Sequence, residues 1–569
     1  MVKQRLIERH KNPIEFIKEV ERLFSVDKDE LIDCINDKLK INLCNLSIEA
    51  IDAGESVFSI LNSLEKIFPF INHEVESLLQ FLKICYSEVK NDYYSFKPNN
   101  LLEALCCQQP DFASNLVDAL LNINEEYVVN YINTIYQAKI KNNNVEELLS
   151  FLLEIAKNKK GFPLQGIIIA ISSTVIKTDD KNEDRVLYLY EELIKGDNLQ
   201  IDSTVAYSLK SFLPHNHRAI SLLNLIAVKK NDESLFQVSI ILKQLIEEYK
   251  EQWFIEIFKN FEEIPIQQIG TIRNLDIVFY QLIKEKNDYS SFLSFIQMWI
   301  IKSDFKESKK SICKVWNTSL NSSQQETDFM SHLVTKLFLS ENYLQHIVAS
   351  QIVSDFKLHK EANLLLDSTI LLSLKTDDIV FLCKKILGYV YGAEEIFSLL
   401  HSIVMNFAMS EIMIEMVCQI YRNFLGKDYT QTTIDFLEME LCKNSSLIDE
   451  RYQGVINFLK QKQELYSSLP RLSELQYSLR QKRLIQVEES KSMIELQKQT
   501  EKDSFMSVLG MSTIKLKHGI GSFHYMDGEY SAIHKLGEFS SSIEIPNTEI
   551  TQPVSSALMR MHYRLAKRK

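Results

Sequence analysis

An all-α chain built from a long succession of paired helices is what this sequence predicts, and three observations carry the prediction. Gly and Pro together number 24 in 569 residues, less than half of average usage, so chain breakers are scarce. Apolar residues recur at three- and four-residue spacing through most of the chain, the period of a helix buried along one face. The stretches between them are short and polar, roughly 2–8 residues, the length that joins antiparallel helix neighbours.

The elements follow in order. Asn12-Pro13 sets a capping side chain before Pro at the first helical position, and Phe16, Ile17, Val20, Leu23 and Phe24 then share a face. The run 56–68 repeats the pattern up to Pro69, and 73–90 does so with Val75, Leu78, Leu79, Phe81, Leu82 and Cys85. Further helices are expected at 145–156, 163–176, 182–193, 203–212, 218–228, 234–249, 252–261, 272–284 and 289–301. Beyond these come 328–339, 343–356, 362–374, 377–391, 394–407, 411–424 and 432–441. A long helix over 447–469 is stopped by Pro470, and a more polar one runs from 472 to about 502.

Two helices with their loops occupy roughly 35–45 residues, the size of a HEAT, armadillo or TPR unit. The likeness is to helical repeats as an architecture, because no TPR signature or fixed-position Pro recurs. Helices joined by short links bury their apolar faces most readily against sequence neighbours, which favours an elongated HEAT/armadillo-like solenoid over a compact helical globule. Three regions are expected: a solenoid over 1–446, connecting helices over 447–509, and a small antiparallel β module with a basic terminal helix over 510–569.

The last region differs in texture. Gly510, Gly519, Gly521, Gly528 and Gly537 are five of the chain's 14 glycines, and Asp527-Gly528 is a two-residue hairpin signal. A type I′ turn there pairs Tyr525 with Tyr530 and Met526 with Glu529. Phe523, Tyr525 and Tyr530 then form a candidate aromatic docking face, while His524 and His534 project to opposite sides. Ile514/Leu516 and Ile543/Ile545 are candidate further strands. The closing segment from Pro553 reads as a basic amphipathic helix, with Val554, Leu558, Met561 and Leu565 on one face and Arg560, Arg564, Lys567 and Arg568 largely elsewhere. Covering the aromatic sheet with that apolar face leaves the basic side for phosphates, an acidic partner or the chain's own acidic body.

Charge is unevenly spread. Residues 451–569 hold 18 Lys and Arg against 12 Asp and Glu, leaving 46 against 64 in residues 1–450. The nine cysteines form no C-x-x-C pair, and six of them (Cys34, Cys85, Cys313, Cys383, Cys418 and Cys442) lie in helical patterns, which points to a reducing compartment. The N-terminus has no apolar signal region, and the longest apolar run, Gly166–Ile171, is far short of a membrane span. A cytoplasmic location and no membrane partner are expected.

Chemistry-bearing motifs are absent. No P-loop, dinucleotide fingerprint, H-E-x-x-H, G-x-S-x-G or kinase set occurs, so no catalytic, cofactor or metal residue is assigned. His518, His524, His534 and His562 cluster late but match no zinc spacing. The leading expectation is a non-enzymatic scaffold or adaptor subunit of an intracellular complex, binding protein partners through the solenoid surface and the C-terminal module. One alternative is a nucleic-acid-associated subunit contacting DNA or RNA through the basic C-terminal region, 451–569, with Arg560, Arg564, Lys567 and Arg568 as candidate basic contacts. A bacterial antiphage system is a guess in that direction, with no residue behind it. The other alternative is an enzyme with its site around His518, His524 and His534.

Overall fold

The computed structural model describes residues 2–9, 11–89, 96–142, 144–176, 180–196, 198–286, 289–307, 310–321, 325–360, 363–441, 446–469, 477–502, 514–518, 521–526, 529–530, 534–535 and 546–568. It divides into two compact units, Met1–Leu333 and Val334–Lys569. Both are helical, apart from short strands late in the second.

Six helix starts in the first unit share one capping device. Asn12, Asn42, Asn144, Asn198, Asn216 and Asn231 each precede a helix, and each side-chain oxygen accepts a backbone N–H of the first turn. The free amides of a helix N-terminus need such acceptors, and Asn supplies one without entering the helix. The expected helix after Pro13 is Pro13–Phe24, burying Phe16, Ile17, Val20 and Leu23.

The helices then stack in two rows. Lys97–Gln108 lies on Val128–Asn142, and Gly161–Val175, Leu199–Leu209, Asp232–Gln244 and Ile269–Lys286 follow, each on the one before. Asp180–Lys195, His217–Val228, Gln252–Lys259 and Tyr289–Lys302 form a second row in the same way. Bonds between successive helix pairs recur at similar sequence separations. Gln109 donates to Pro69 O and Ile71 O, Lys159 to Leu121 O, Lys229 to Ile194 O and Trp299 Nε1 to Ile264 O, all reaching back 35–40 residues. That recurring reach is what stacked helix pairs require.

Gly161–Val175 contains the longest apolar run, and it is buried nearly all round. Gly166 makes its close packing possible: a Cβ there would lie 2.9 Å from Ile132 Cβ and 3.0 Å from Val129 O. Among the described residues no helix is long and apolar enough to cross a membrane. Among the described residues no cysteine is in a disulfide, and all the described cysteines but Cys107 are buried.

In the second unit the expected helix over 362–374 is only Ser368–Ser373. Asp367 explains the late start, because its carboxylate accepts Thr369 N and Ile370 N and so caps the helix there. The chain before it is extended and tied down, with Leu366 N donating to Ser402 Oγ and Asp367 N to Thr335 Oγ1. The expected helix over 411–424 is Glu411–Ile420 followed by a widened π turn, Tyr421–Leu425. The helix Ser446–Ser468 belongs to this unit through buried Ile448, Tyr452, Val455, Ile456 and Leu459.

Backbone pairing is described for four short strands: β1 (Ile514–His518), β2 (Gly521–Met526), β3 (Glu529–Tyr530) and β4 (His534–Lys535). All pair antiparallel with β2. Tyr525 faces Tyr530 and Met526 faces Glu529, the register of a tight hairpin. Asp527-Gly528 itself, and the expected strand at Ile543/Ile545, lie outside the described residues. One expectation is corrected. β4 pairs Ser522 with His534, one residue out of step with β3, so His534 occupies the register set of Ser522 and His524 instead of the opposite one. A one-residue slip exchanges the faces of a strand.

Candidate docking site at the C-terminal helix

Arg560 and Arg564 of the closing segment lie on one helix, Pro553–Leu565, which packs on Thr376–Tyr389 within the second unit, and Lys567 and Arg568 follow it. Pro553 sits at the first helical position after non-helical Gln552, where its missing N–H is not needed. Arg560 and Arg564 are four residues apart and therefore share one side, while Arg568 follows in the non-helical chain beyond Leu565.

That side meets the C-terminal end of Thr376–Tyr389, and the contact is polar. A helix end leaves its last carbonyls without intrahelical donors. Here Arg560 Nη1 donates to Leu387 O at 3.4 Å and Val390 O at 3.1 Å, and Arg564 Nε to Gly388 O at 2.6 Å. Ser350 Oγ completes the set by donating to Tyr389 O at 2.8 Å. The helix is thus capped by side chains from elsewhere in the unit, and two cations sit at the negative end of its dipole.

The guanidinium planes also stack. Arg560 lies 4.5 Å from the Tyr391 ring centroid and Arg564 lies 5.1 Å from that of Tyr389. Arg564 Nη2 donates to Tyr391 OH at 2.6 Å, and Arg560 Nη2 to Glu549 Oε1 at 3.3 Å. At the other end of the receiving helix Arg568 Nε donates to Asp378. That bond, more than any other influence, holds the Asp378 carboxyl below its usual pKa.

Two buried groups complete the contact. Lys385, 3% exposed, donates Nζ to Arg564 O at 2.6 Å. Burial pushes its pKa below the usual lysine value. Buried Asp428 accepts Thr548 N at 2.8 Å and the Thr548 hydroxyl, fixing the short turn Asn547–Thr551 that leads into the C-terminal helix. Gly388 permits the approach: a Cβ there would be 3.1 Å from Arg564 N and 3.3 Å from Tyr563 Cβ.

The expected orientation of this helix is reversed. Val554, Leu558, Met561 and Leu565 are 70%, 61%, 55% and 66% exposed, while Arg560 is 6% exposed. The apolar face does not cover a sheet; it points outward, because the surface beneath the helix is a row of carbonyls and phenol rings that guanidinium groups satisfy and methyl groups cannot. Of the four basic residues named from sequence, Arg560, Arg564 and Arg568 are bonded within the chain, and Lys567 is exposed.

Phe523 and Tyr525 alternate on β2, with Tyr530 opposite Tyr525. Ile514 and Leu516 pair with Tyr525 and Phe523 and so join their register set, as does His518 opposite Gly521. His524 and His534 fall in the other set, so the three histidines do not share one. The residues that receive the arginines were not singled out by sequence. Their signal was Gly388-Tyr389-Val390-Tyr391-Gly392, a helix end crowded with glycine and tyrosine.

A second feature belongs to the first unit. Phe151, Tyr188 and Leu225, each 37 residues after the last, are all exposed, and Ile255 is exposed on the next helix of the second row. Arg185 Nη2 donates to Ser150 Oγ at 3.3 Å and the Arg218 guanidinium lies 5.7 Å from the Tyr188 ring, so charged groups border this ladder. Around it Arg218 pairs with Glu191 at 2.7 Å.

The stacked helix pairs of the first unit are the architecture of a helical repeat. No protein-family model matches the chain, and no curated protein matches its sequence.

Proposed function

We propose that this chain is a non-enzymatic scaffold or adaptor subunit built from HEAT/armadillo-like repeats, gathering protein partners on the surface of its first unit and through its C-terminal module. The observation that supports the reading is the ladder Phe151, Tyr188 and Leu225, an exposed apolar side chain at the same 37-residue spacing on each of the helices Val145–Asn158, Asp180–Lys195 and His217–Val228. A repeat array exposes equivalent positions at equivalent spacing, so one partner segment running along the row meets a regular series of anchors. Large exposed apolar groups in series mark interaction sites more often than chance surface.

The nucleic-acid reading is not adopted, because three of its four candidate contacts, Arg560, Arg564 and Arg568, are already bonded within the chain. The test is the full chain carrying Phe151→Glu, Tyr188→Glu and Leu225→Glu together, purified from its native cell beside the wild type. The proteins that accompany the wild type should be lost while far-ultraviolet circular dichroism stays the same. An unchanged set of accompanying proteins refutes the reading.

A further inference from the structure

The C-terminal helix carries its amphipathic character the wrong way round for a helix that only caps a fold. Soluble helices bury the apolar stripe and leave cations in water. Here Arg560 and Arg564 face inward and Val554, Leu558, Met561 and Leu565 form an outward stripe, with Ala557 and Ser555 exposed beside it. The arginine contacts, Asp428 with Thr548, and the small Gly388 hold the stripe in one fixed orientation. A stripe held outward on a rigid mount is a presented surface.

We infer that this stripe is a self-association surface, and that its occupant is the same stripe of a second copy, packed antiparallel about a two-fold axis near Met559. Three features of the surface favour a second copy. Between Pro553 and Tyr563 the sole Lys, Arg, Asp or Glu is Arg560, which is buried, so two such helices meet without opposing like charges. At the ends the charges complement one another: Glu549, exposed although Oε1 accepts Arg560 Nη2, lies before the helix and exposed Lys567 after it, and the antiparallel arrangement brings Lys567 of one copy toward Glu549 of the other. A parallel pair would set Lys567 beside Lys567. The small residues Ala557 and Ser555 allow the helix axes to approach closely.

The size of the stripe sets the strength. Four aliphatic side chains and their small neighbours amount to a patch on the order of 400–500 Å². A standard stable interface takes about 800 Å² from each partner. The association is therefore weak and reversible, formed at high local concentration, such as when several copies are gathered in one assembly.

Analytical ultracentrifugation of the full chain over a wide concentration range tests it. The weight-average mass should climb toward that of a dimer as concentration rises. Leu558→Glu and Met561→Glu, at positions exposed in the single chain, should each weaken the association at least tenfold with unchanged circular dichroism. A chain that stays monomeric throughout overturns the inference and leaves the stripe to another occupant. So does a dimer that both substitutions leave intact. If Leu558→Glu misfolds, Leu558→Ser with Met561→Ser removes the same contacts without adding charge, and the same two results decide.

Discussion

Arg560→Ala is the substitution that most directly examines how the C-terminal helix is held. The side chain is 6% exposed and makes three hydrogen bonds, to Leu387 O, Val390 O and Glu549 Oε1, with its plane stacked on Tyr391. A hydrogen bond involving a charged group contributes about 1.5–3 kcal/mol, and an unpaired buried carbonyl costs about 1–3 kcal/mol. Against this stands the desolvation of a buried cation, which the substitution relieves. Water entering at the helix end also softens the loss. The balance is about 3 kcal/mol, or roughly a hundredfold in the opening equilibrium of the helix. Native-state hydrogen exchange read by mass spectrometry should show amides of Pro553–Leu565 exchanging about a hundredfold faster, while Gly161–Val175 in the other unit is unchanged. Arg560→Lys should fall between the two, because an ammonium cannot reach two carbonyls and stack at once. A change of less than about threefold in Arg560→Ala, corresponding to about 0.6 kcal/mol, would refute the view that Arg560 holds this helix.

Other outcomes follow from the same contacts. Gly388→Ala removes a helix-weakening glycine, worth about 1 kcal/mol, but places a Cβ against Arg564 and Tyr563; exchange should quicken in Pro553–Leu565 and not in Thr376–Tyr389, and equal protection in both variant and wild type would count against the close approach. Asp276 accepts Thr318 N at 2.7 Å, Ser319 N at 2.8 Å and the Ser319 hydroxyl at 2.6 Å; Asp276→Ala should cost about 2–4 kcal/mol in urea denaturation of the first unit and Asp276→Asn less, and equal costs would show that the acceptors are not what matters. His346 is buried, with Nε2 on Ser340 O at 2.7 Å, and burial lowers its pKa to about 4. The unfolded residue titrates near 6.5, so below that pH the unfolded state takes up a proton that the folded state refuses. Stability of the second unit should therefore fall as pH drops from about 6.5 to about 4, by up to roughly 3 kcal/mol, and a His346→Gln chain with the same pH slope would sink the assignment.

Much of the helical framework was legible because it depends on local chemistry. Asn12 before Pro13, the apolar face of Phe16, Ile17, Val20 and Leu23, and the long helix before Pro470 need only capping, periodicity and a breaker. Where a distant group intervened, the local reading missed. The helix expected over 362–374 starts late because Asp367 caps it and Ser402 and Thr335 hold the chain before it extended. His534 changed register set because the pairing of β4 is one residue out of step with that of β3, and turn chemistry at Asp527-Gly528 does not specify pairing several residues beyond it.

The candidate site divides along the same line. Sequence by itself determined that Pro553 begins an amphipathic helix, that Val554, Leu558, Met561 and Leu565 share one face, and that arginines recur every four residues on another. Periodicity is intrinsic to the chain, since it follows from 3.6 residues per turn. Which face turns inward is not intrinsic. Tertiary structure decided it by placing beneath the helix the unsatisfied carbonyls of Leu387, Gly388 and Val390 beside the rings of Tyr389 and Tyr391. Guanidinium groups can donate to those oxygens and stack on those rings, whereas an aliphatic face would leave the oxygens desolvated and unpaired. Burial follows the chemistry of the receiving surface, and that surface exists only once Thr376–Tyr389 has folded.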